Sequence, residues 1–101
     1  MNIEIKRKEK ELVVELVGRL DTTTAPILDK TIADNLADVN KLVLDFAGVE
    51  YISSAGLRVV LNAQKKMKQV GEMSLINVCE EVMEVFEITG FVDILTIYYK
   101  K

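Results

Sequence analysis

The strongest constraint on the fold is the alternation of short apolar runs with segments of helical periodicity. Runs rich in β-branched and other apolar residues, typical of strands, occupy positions 12–17, 42–46, 73–78 and 94–98. The segments between them repeat their apolar residues at helical spacing. Strands that alternate with helices are best joined by right-handed crossovers into a partly parallel sheet. The sequence therefore predicts an α/β fold.

A further strand is predicted at residues 2–7. Ile3 and Ile5 alternate with charged residues, which is typical of an edge strand with one face in water. A charged turn at 8–10 joins it to residues 12–17, whose nearly continuous apolar character predicts a central strand covered on both faces. We expect these two strands to form an N-terminal antiparallel hairpin. The predicted sheet is mixed, with four to five strands.

The first of three predicted main helices follows the polar connection at 18–24. Thr24 is one candidate N-cap, and Asp21 or another threonine of this segment is an alternative cap. Pro26 stands where a proline is tolerated in the first turn. Apolar residues at helical spacing then mark one buried side, and they are Leu28, Ile32 and Leu36. The spacing predicts that this helix ends near Asp38.

The other two helices are predicted from their start and stop signals. Ser53–Gly56 predicts the start of the second helix, and Gly71 predicts its end. Val82–Gly90 reads as a short third helix, with Gly90 as its left-handed cap. Because 101 residues are too few to bury two separate cores, we expect one domain over residues 1–101.

The residue types present exclude most catalytic chemistry. The chain has no histidine, which removes Ser-His and Cys-His nucleophile pairs and the commonest zinc ligand. Cys79 is the only cysteine and is interpreted as a small buried thiol. Neither a GxxxxGK[ST] nor a GxGxxG loop occurs, so no cofactor or metal site is predicted. An enzyme would need a nucleophile activated without histidine, for instance by lysine, and the prediction is that this chain is not an enzyme.

Charge and hydropathy exclude two further classes of partner. The net charge of −3 comes from 13 basic and 16 acidic residues spread along the chain, without the basic stripe that nucleic acid requires. The lysines at 65, 66 and 68 are interpreted as a solvated helix face. The sequence has no long apolar span and no N-terminal signal pattern, so we expect no membrane association and a cytoplasmic location.

The most informative segment is the start of the second helix, where Ser53 and Ser54 follow the end of a strand. A serine in this position either caps the helix or accepts a phosphate, because unpaired amides and the helix dipole favour an added anion there. A partner pressed against a phosphoserine would have to desolvate its charge. Binding could thus be switched without refolding the domain.

Three segments in register over nearly the whole chain resemble the STAS domain of anti-sigma factor antagonists. They are Gly18–Asp21, Leu42–Asp45 and Ile52–Leu57. The resemblance implies that the unphosphorylated form captures an anti-sigma factor that is also a serine protein kinase of the histidine-kinase-like ATPase type. Sigma factor is then released, and a PP2C-type serine phosphatase resets the cycle. It also implies that the protein is a monomer when free.

The resemblance also implies which residues act. Ser54 aligns with the phosphorylated serine, and Ser53, where the family often has aspartate, is the alternative acceptor. Arg58 stands where many relatives carry glycine, and either faces the partner, reaches back to a phosphate or is simply solvated. The implied partner surface consists of Asp21, Thr22, Thr23, Thr24, Ser53, Ser54, Gly56 and Arg58. The alternative interpretation is a STAS scaffold or ligand-binding module that is never phosphorylated, in which Ser54 is only a cap.

Overall fold

The structure is a computed structural model that describes residues 1–100. The strands are β1 (Asn2–Lys8), β2 (Glu11–Val17), β3 (Lys41–Gly48), β4 (Glu72–Val78) and β5 (Thr96–Tyr99). The helices are α1 (Ala25–Asn35), α2 (Ser54–Val70) and α3 (Glu80–Ile88), and a 3-10 turn spans Phe91–Asp93. The predicted α/β class, the five strands and the three main helices are confirmed. The predicted single domain ends at Lys101, which lies outside the described residues.

All five strands form one sheet in the order β1-β2-β3-β4-β5. β1 and β2 are antiparallel, which confirms the N-terminal hairpin, and the remaining neighbours are parallel. Because each parallel strand is placed beside the preceding one in the same direction, right-handed crossovers bring all three helices to one face of the sheet. Within residues 1–100, no helix lies over the opposite face.

This one-sided arrangement overturns the prediction that β2 is covered on both faces. Leu12, Val14 and Leu16 are at most 1% exposed, whereas Val17 on the same strand is 54% exposed. Glu15, on the uncovered face, forms an ion pair with Lys6 of β1, with 3.1 Å between Nζ and Oε1. The apolar run therefore reflects strand composition and not double burial.

Two predicted boundaries also differ from the structure. α1 ends at Asn35 and not near Asp38, because residues 36–39 form a turn in which the Val39 N–H donates to the carbonyl of Leu36 and Asp38 is left-handed with φ of 63°. The last strand begins at Thr96, because Ile94 and Leu95 still hydrogen-bond back to the 3-10 turn at Phe91. The predicted end of α3 is confirmed, since Gly90 is left-handed with φ of 79°. Within residues 1–100, no helix combines the length and the apolar character needed to cross a membrane.

Candidate functional site

The predicted site residues lie on two segments that leave the carboxyl ends of β2 and β3 and run side by side. The Leu20 N–H donates to the carbonyl of Tyr51 at 3.1 Å, and the Ser53 N–H donates to the carbonyl of Leu20 at 2.9 Å. Leu20 and Ile52 pair as a parallel bridge, and both are buried. Two stretches that are far apart in the chain are thereby held together beneath the start of α2.

Gly56 allows α2 to approach this pair closely. A Cβ atom at residue 56 would stand 2.7 Å from Leu20 Cγ and 2.9 Å from Ile52 Cγ1. Gly56 is buried, unlike the exposed members of the predicted partner surface, so its role is to let the helix pack. The glycine fixes where the first turn of α2 stands relative to the Leu20 segment.

The two serines at this helix start have different environments. Ser53 is the N-cap, and its Oγ accepts a hydrogen bond from the Gly56 N–H at 3.3 Å. Ser54 is the first residue of the helix and is exposed. Among residues 1–100, its hydroxyl makes no hydrogen bond. The capping role therefore belongs to Ser53, and the Ser54 hydroxyl is open to solvent.

Asp21 and Thr24 form a reciprocal pair at the turn that precedes α1. The Asp21 Oδ1 accepts from the N–H groups of Thr23 and Thr24, each at 3.0 Å, while Thr24 Oγ1 accepts from the Asp21 N–H at 2.9 Å. This is the pattern of a capping box. Thr24 is the N-cap residue of α1, as predicted, but its side chain makes no cap bond to the helix. Asp21, the alternative cap, accepts from the N–H groups of the turn that begins three residues earlier. Thr22 and Thr23 remain exposed on the outer surface.

The same contacts determine the protonation of Asp21. Hydrogen bonds from Thr24, with that of its backbone N–H the largest cause, lower the pKa of the Asp21 carboxyl, and Thr23 and the charge of Arg19 add to the effect. Asp21 is therefore a carboxylate at neutral pH, and it contributes a negative charge to the segment beside Ser53.

Arg19 and Tyr51 form a second outward-facing pair that the sequence does not predict. The Arg19 Cζ lies 4.0 Å from the centroid of the Tyr51 ring, a cation–π contact, and its Nε lies 3.8 Å from Asp21 Oδ2. Tyr51 is 41% exposed. The contact joins the two segments described above, and only their pairing brings these residues together. In the sequence, the one local sign of this contact is a tyrosine in the loop before a helix.

Arg58 lies one turn beyond Ser54 on α2 and is exposed. The described residues give it no ion pair, and the first turn of α2 contains no acidic residue. The predicted residues thus lie on two segments that are joined at Leu20, Ile52 and Ser53, with Asp21–Thr24 on one segment and Ser53, Ser54 and Arg58 on the other.

Cys79 begins α3 beside this region, and it is partly and not fully buried. Its Sγ lies 3.4 Å from the carbonyl oxygen of Val49, in the loop that leads to α2. Within residues 1–100, no group of three histidine, cysteine or acidic side chains is placed to hold a metal ion. Fold and site together define an α/β domain whose candidate binding surface lies beyond the carboxyl ends of β2 and β3.

Comparison with known proteins identifies the family. The sequence profile of the STAS domain matches residues 2–101, so the chain belongs to the STAS domain family. A protein of Bacillus subtilis (strain 168) named anti-sigma-B factor antagonist is 33% identical over 104 residues, which cover 99% of this chain and 93% of that protein. The resemblance seen in the sequence is confirmed, and the name of this relative is that of a regulator and not of an enzyme.

Solved structures confirm the STAS-like fold. An anti-sigma factor antagonist from Mycobacterium paratuberculosis has a TM-score of 0.85 at 25% identity, covering 96% of this chain and 84% of that one. The antagonist SpoIIAA in its unphosphorylated form has a TM-score of 0.83 at 20% identity, covering 95% and 87% of the two chains. The Bacillus protein SpoIIAA in its phosphorylated form has a TM-score of 0.75 at 19% identity, covering 95% and 90%.

Proposed function

We propose that this chain is an anti-sigma factor antagonist whose binding to its partner is switched off by a phosphate on Ser54. The observation that carries the proposal is the exposed Ser54 hydroxyl, which is free because Ser53 caps the helix. The B. subtilis relative supports the role by its name, anti-sigma-B factor antagonist. Ser53, the alternative acceptor, is less suited because its Oγ already accepts the hydrogen bond from Gly56.

The partner in this proposal is an anti-sigma factor that is also a serine protein kinase of the histidine-kinase-like ATPase type. It binds the surface formed by the Asp21–Thr24 turn, Ser54 and Arg58. A PP2C-type serine phosphatase restores the unphosphorylated form. We place this cycle in the cytoplasm, with the chain acting as a single domain and a monomer when free.

The physical basis of the switch is charge and not unfolding. A phosphate adds a charge of about −1.5 to −2 and three strong acceptor oxygens. At the first residue of a helix the positive end of the helix dipole tolerates that charge, so the fold is expected to persist. A partner that covers Ser54 must desolvate the phosphate, which raises the free energy of the complex. SpoIIAA, which shares the fold, has been solved in a phosphorylated form.

Two measurements test this function. Intact-mass spectrometry and peptide mapping, after incubation with ATP and the histidine-kinase-like ATPase encoded nearest to this chain, should find one phosphate on Ser54 that Ser54→Ala abolishes. Ser53→Ala is the matched control and should still be phosphorylated at Ser54. Titration calorimetry with the same ATPase should show that Ser54→Asp binds at least tenfold more weakly, about 1.4 kcal/mol. Equal affinities for wild type and Ser54→Asp would refute the charge switch.

The second candidate is a STAS module that binds its partner without being phosphorylated. The observation in its favour is Ser53, which stands where the resembling family often has aspartate. In this case the ATPase would bind the chain with unchanged affinity after exposure to ATP, and no phosphopeptide would appear.

A further inference from the structure

The outer side of α2 is positively charged. Ser54, Arg58, Asn62 and Lys65 are exposed and follow one another at spacings of three or four residues, which places them along one side of the helix. The helix carries four basic residues and no acidic one. Ser54 therefore stands at the end of a row in which both charged side chains, Arg58 and Lys65, are cationic, and this row is called the cationic stripe.

Arg58 is the available cation nearest to Ser54 along this stripe. It makes no ion pair in the part of the chain that the structure describes. The other arginine near the site, Arg19, is already stacked on Tyr51 and lies close to the Asp21 carboxylate. A new anion on Ser54 would thus find Arg58 without a competing partner.

We propose, resting on the phosphorylation of Ser54 proposed above, that Arg58 is the counter-ion of the phosphate and pairs with it within α2. Residues four apart on a helix have Cβ atoms about 6 Å from each other, and the order acid before base is the favourable one. The guanidinium offers a planar pair of N–H groups that match two phosphate oxygens. The pair forms without any movement of the backbone.

Pairing changes the partner surface in two ways at once. Phosphorylation adds an anion at Ser54, and it also withdraws Arg58 from contact with the partner.

The pairing also affects the titration of the phosphate. Arg58 favours the dianion and so lowers the second pKa of the phosphate, which is ordinarily about 6. The other charged groups on the segments packed against the start of α2 are Arg19, Asp21 and Glu50. The two carboxylates act in the opposite direction to Arg58.

The test places phosphoserine at residue 54 of the full chain by genetic code expansion and follows the phosphate by phosphorus-31 NMR against pH. The second pKa should be about 0.3 lower in the otherwise wild-type protein than in Arg58→Gln. Lys65→Gln is the matched control, because it removes the same charge from the same stripe at a point about 16 Å from Ser54 along the helix axis. It should leave the pKa nearly unchanged, and about 1 M salt should abolish most of the Arg58 effect.

Identical titrations for Arg58→Gln and Lys65→Gln would overturn the pairing, since the phosphate would then sense only the general field of the helix. Circular dichroism of both variants checks that they are folded. Because the phosphate is installed during synthesis, the result does not depend on any kinase. If Arg58 does not pair with the phosphate, the proposed phosphorylation switch is unaffected. If no kinase phosphorylates Ser54, the measured pairing is unaffected, but the proposed function fails.

Discussion

The helices α2 and α3 start at neighbouring positions on the sheet but are built differently. Both follow the carboxyl ends of adjacent parallel strands, β3 and β4. The first turn of α3 contains Glu80 and Glu81, which complement the helix dipole, while its N-cap Cys79 makes no side-chain cap bond. The first turn of α2 has a serine cap and no acidic residue. The α3 start carries acidic side chains, whereas the α2 start has none, which leaves that place for the phosphate proposed on Ser54.

The largest expected effect concerns the third residue of each helix, which is Gly56 in α2 and the buried Val82 in α3. Gly56→Ala should destabilise the fold by about 2 kcal/mol, because the new methyl would overlap Leu20 and Ile52. Urea unfolding measures this loss. Gly90→Ala is the control, because it tests backbone strain without steric overlap. The φ of Gly90 is positive, and apart from its chain neighbours no described atom lies within 4 Å of the position of the new Cβ. This substitution should cost only about 1 kcal/mol.

The next effect separates the two serines. Ser53→Ala should lower the free energy of unfolding by about 1 kcal/mol, because it removes the cap of α2. Ser54→Ala should change it by less than about 0.5 kcal/mol, since its hydroxyl is exposed and unbonded in the described chain. Chemical denaturation of the two variants side by side is the measurement. A larger loss for Ser54→Ala would mean that the two serines have been assigned the wrong roles.

A smaller effect tests the charges in the first turns of α2 and α3. Glu80→Gln and Glu81→Gln should each destabilise the protein by about 0.5 kcal/mol, because each removes an anion from the first turn of α3. Ser54→Asp should stabilise it by a similar amount, because it adds one to α2. Both changes should shrink as salt is added. Thermal unfolding of the variants at low and high salt measures these changes in stability. A lower melting temperature for Ser54→Asp would contradict the idea that the start of α2 tolerates a negative charge.

The smallest effect extends the comparison to the turn before α1. The pKa of Asp21 is lowered in the folded protein, chiefly by the Thr24 backbone hydrogen bond, so its charged form stabilises the fold above the unfolded pKa of about 3.9. That contribution is lost as the pH falls through the folded-state pKa. The difference in melting temperature between wild type and Asp21→Asn should therefore be constant from about pH 5 to 7 and narrow below about 3.9. A difference that stays constant down to about pH 2 would contradict the stabilising role of the Asp21 carboxylate.

Local signals in the sequence predict much of this architecture. The spacing of apolar residues and the glycines at 71 and 90 predict α2 and α3 closely, and the charged turn at 8–10 predicts the hairpin. The one-sided cover of β2 is not predictable from β2 itself, because it depends on the direction of three crossovers elsewhere. The apolar run at 12–17 looks the same whether one face is covered or two.

The site shows the same division between local and long-range information. The pair Ser53 and Ser54 is evident at the start of a helix, but only the structure shows which hydroxyl bonds to Gly56. The stacking of Arg19 on Tyr51 depends on the bridge between Leu20 and Ile52, which joins distant parts of the chain. Thr24 is recognisable from the sequence as the N-cap residue of α1, but only the structure shows that the side chain accepting backbone N–H groups at this turn is that of Asp21.

The bridge between Leu20 and Ile52 also bears on how a partner would bind. Loops usually lose conformational entropy when a partner orders them, and this loss weakens binding. Here both segments are already held by backbone hydrogen bonds and by the buried contact beneath Gly56. Their ordering occurs during folding, so association should proceed between nearly rigid surfaces. The heat and entropy of binding would then report mainly on the partner's own rearrangement.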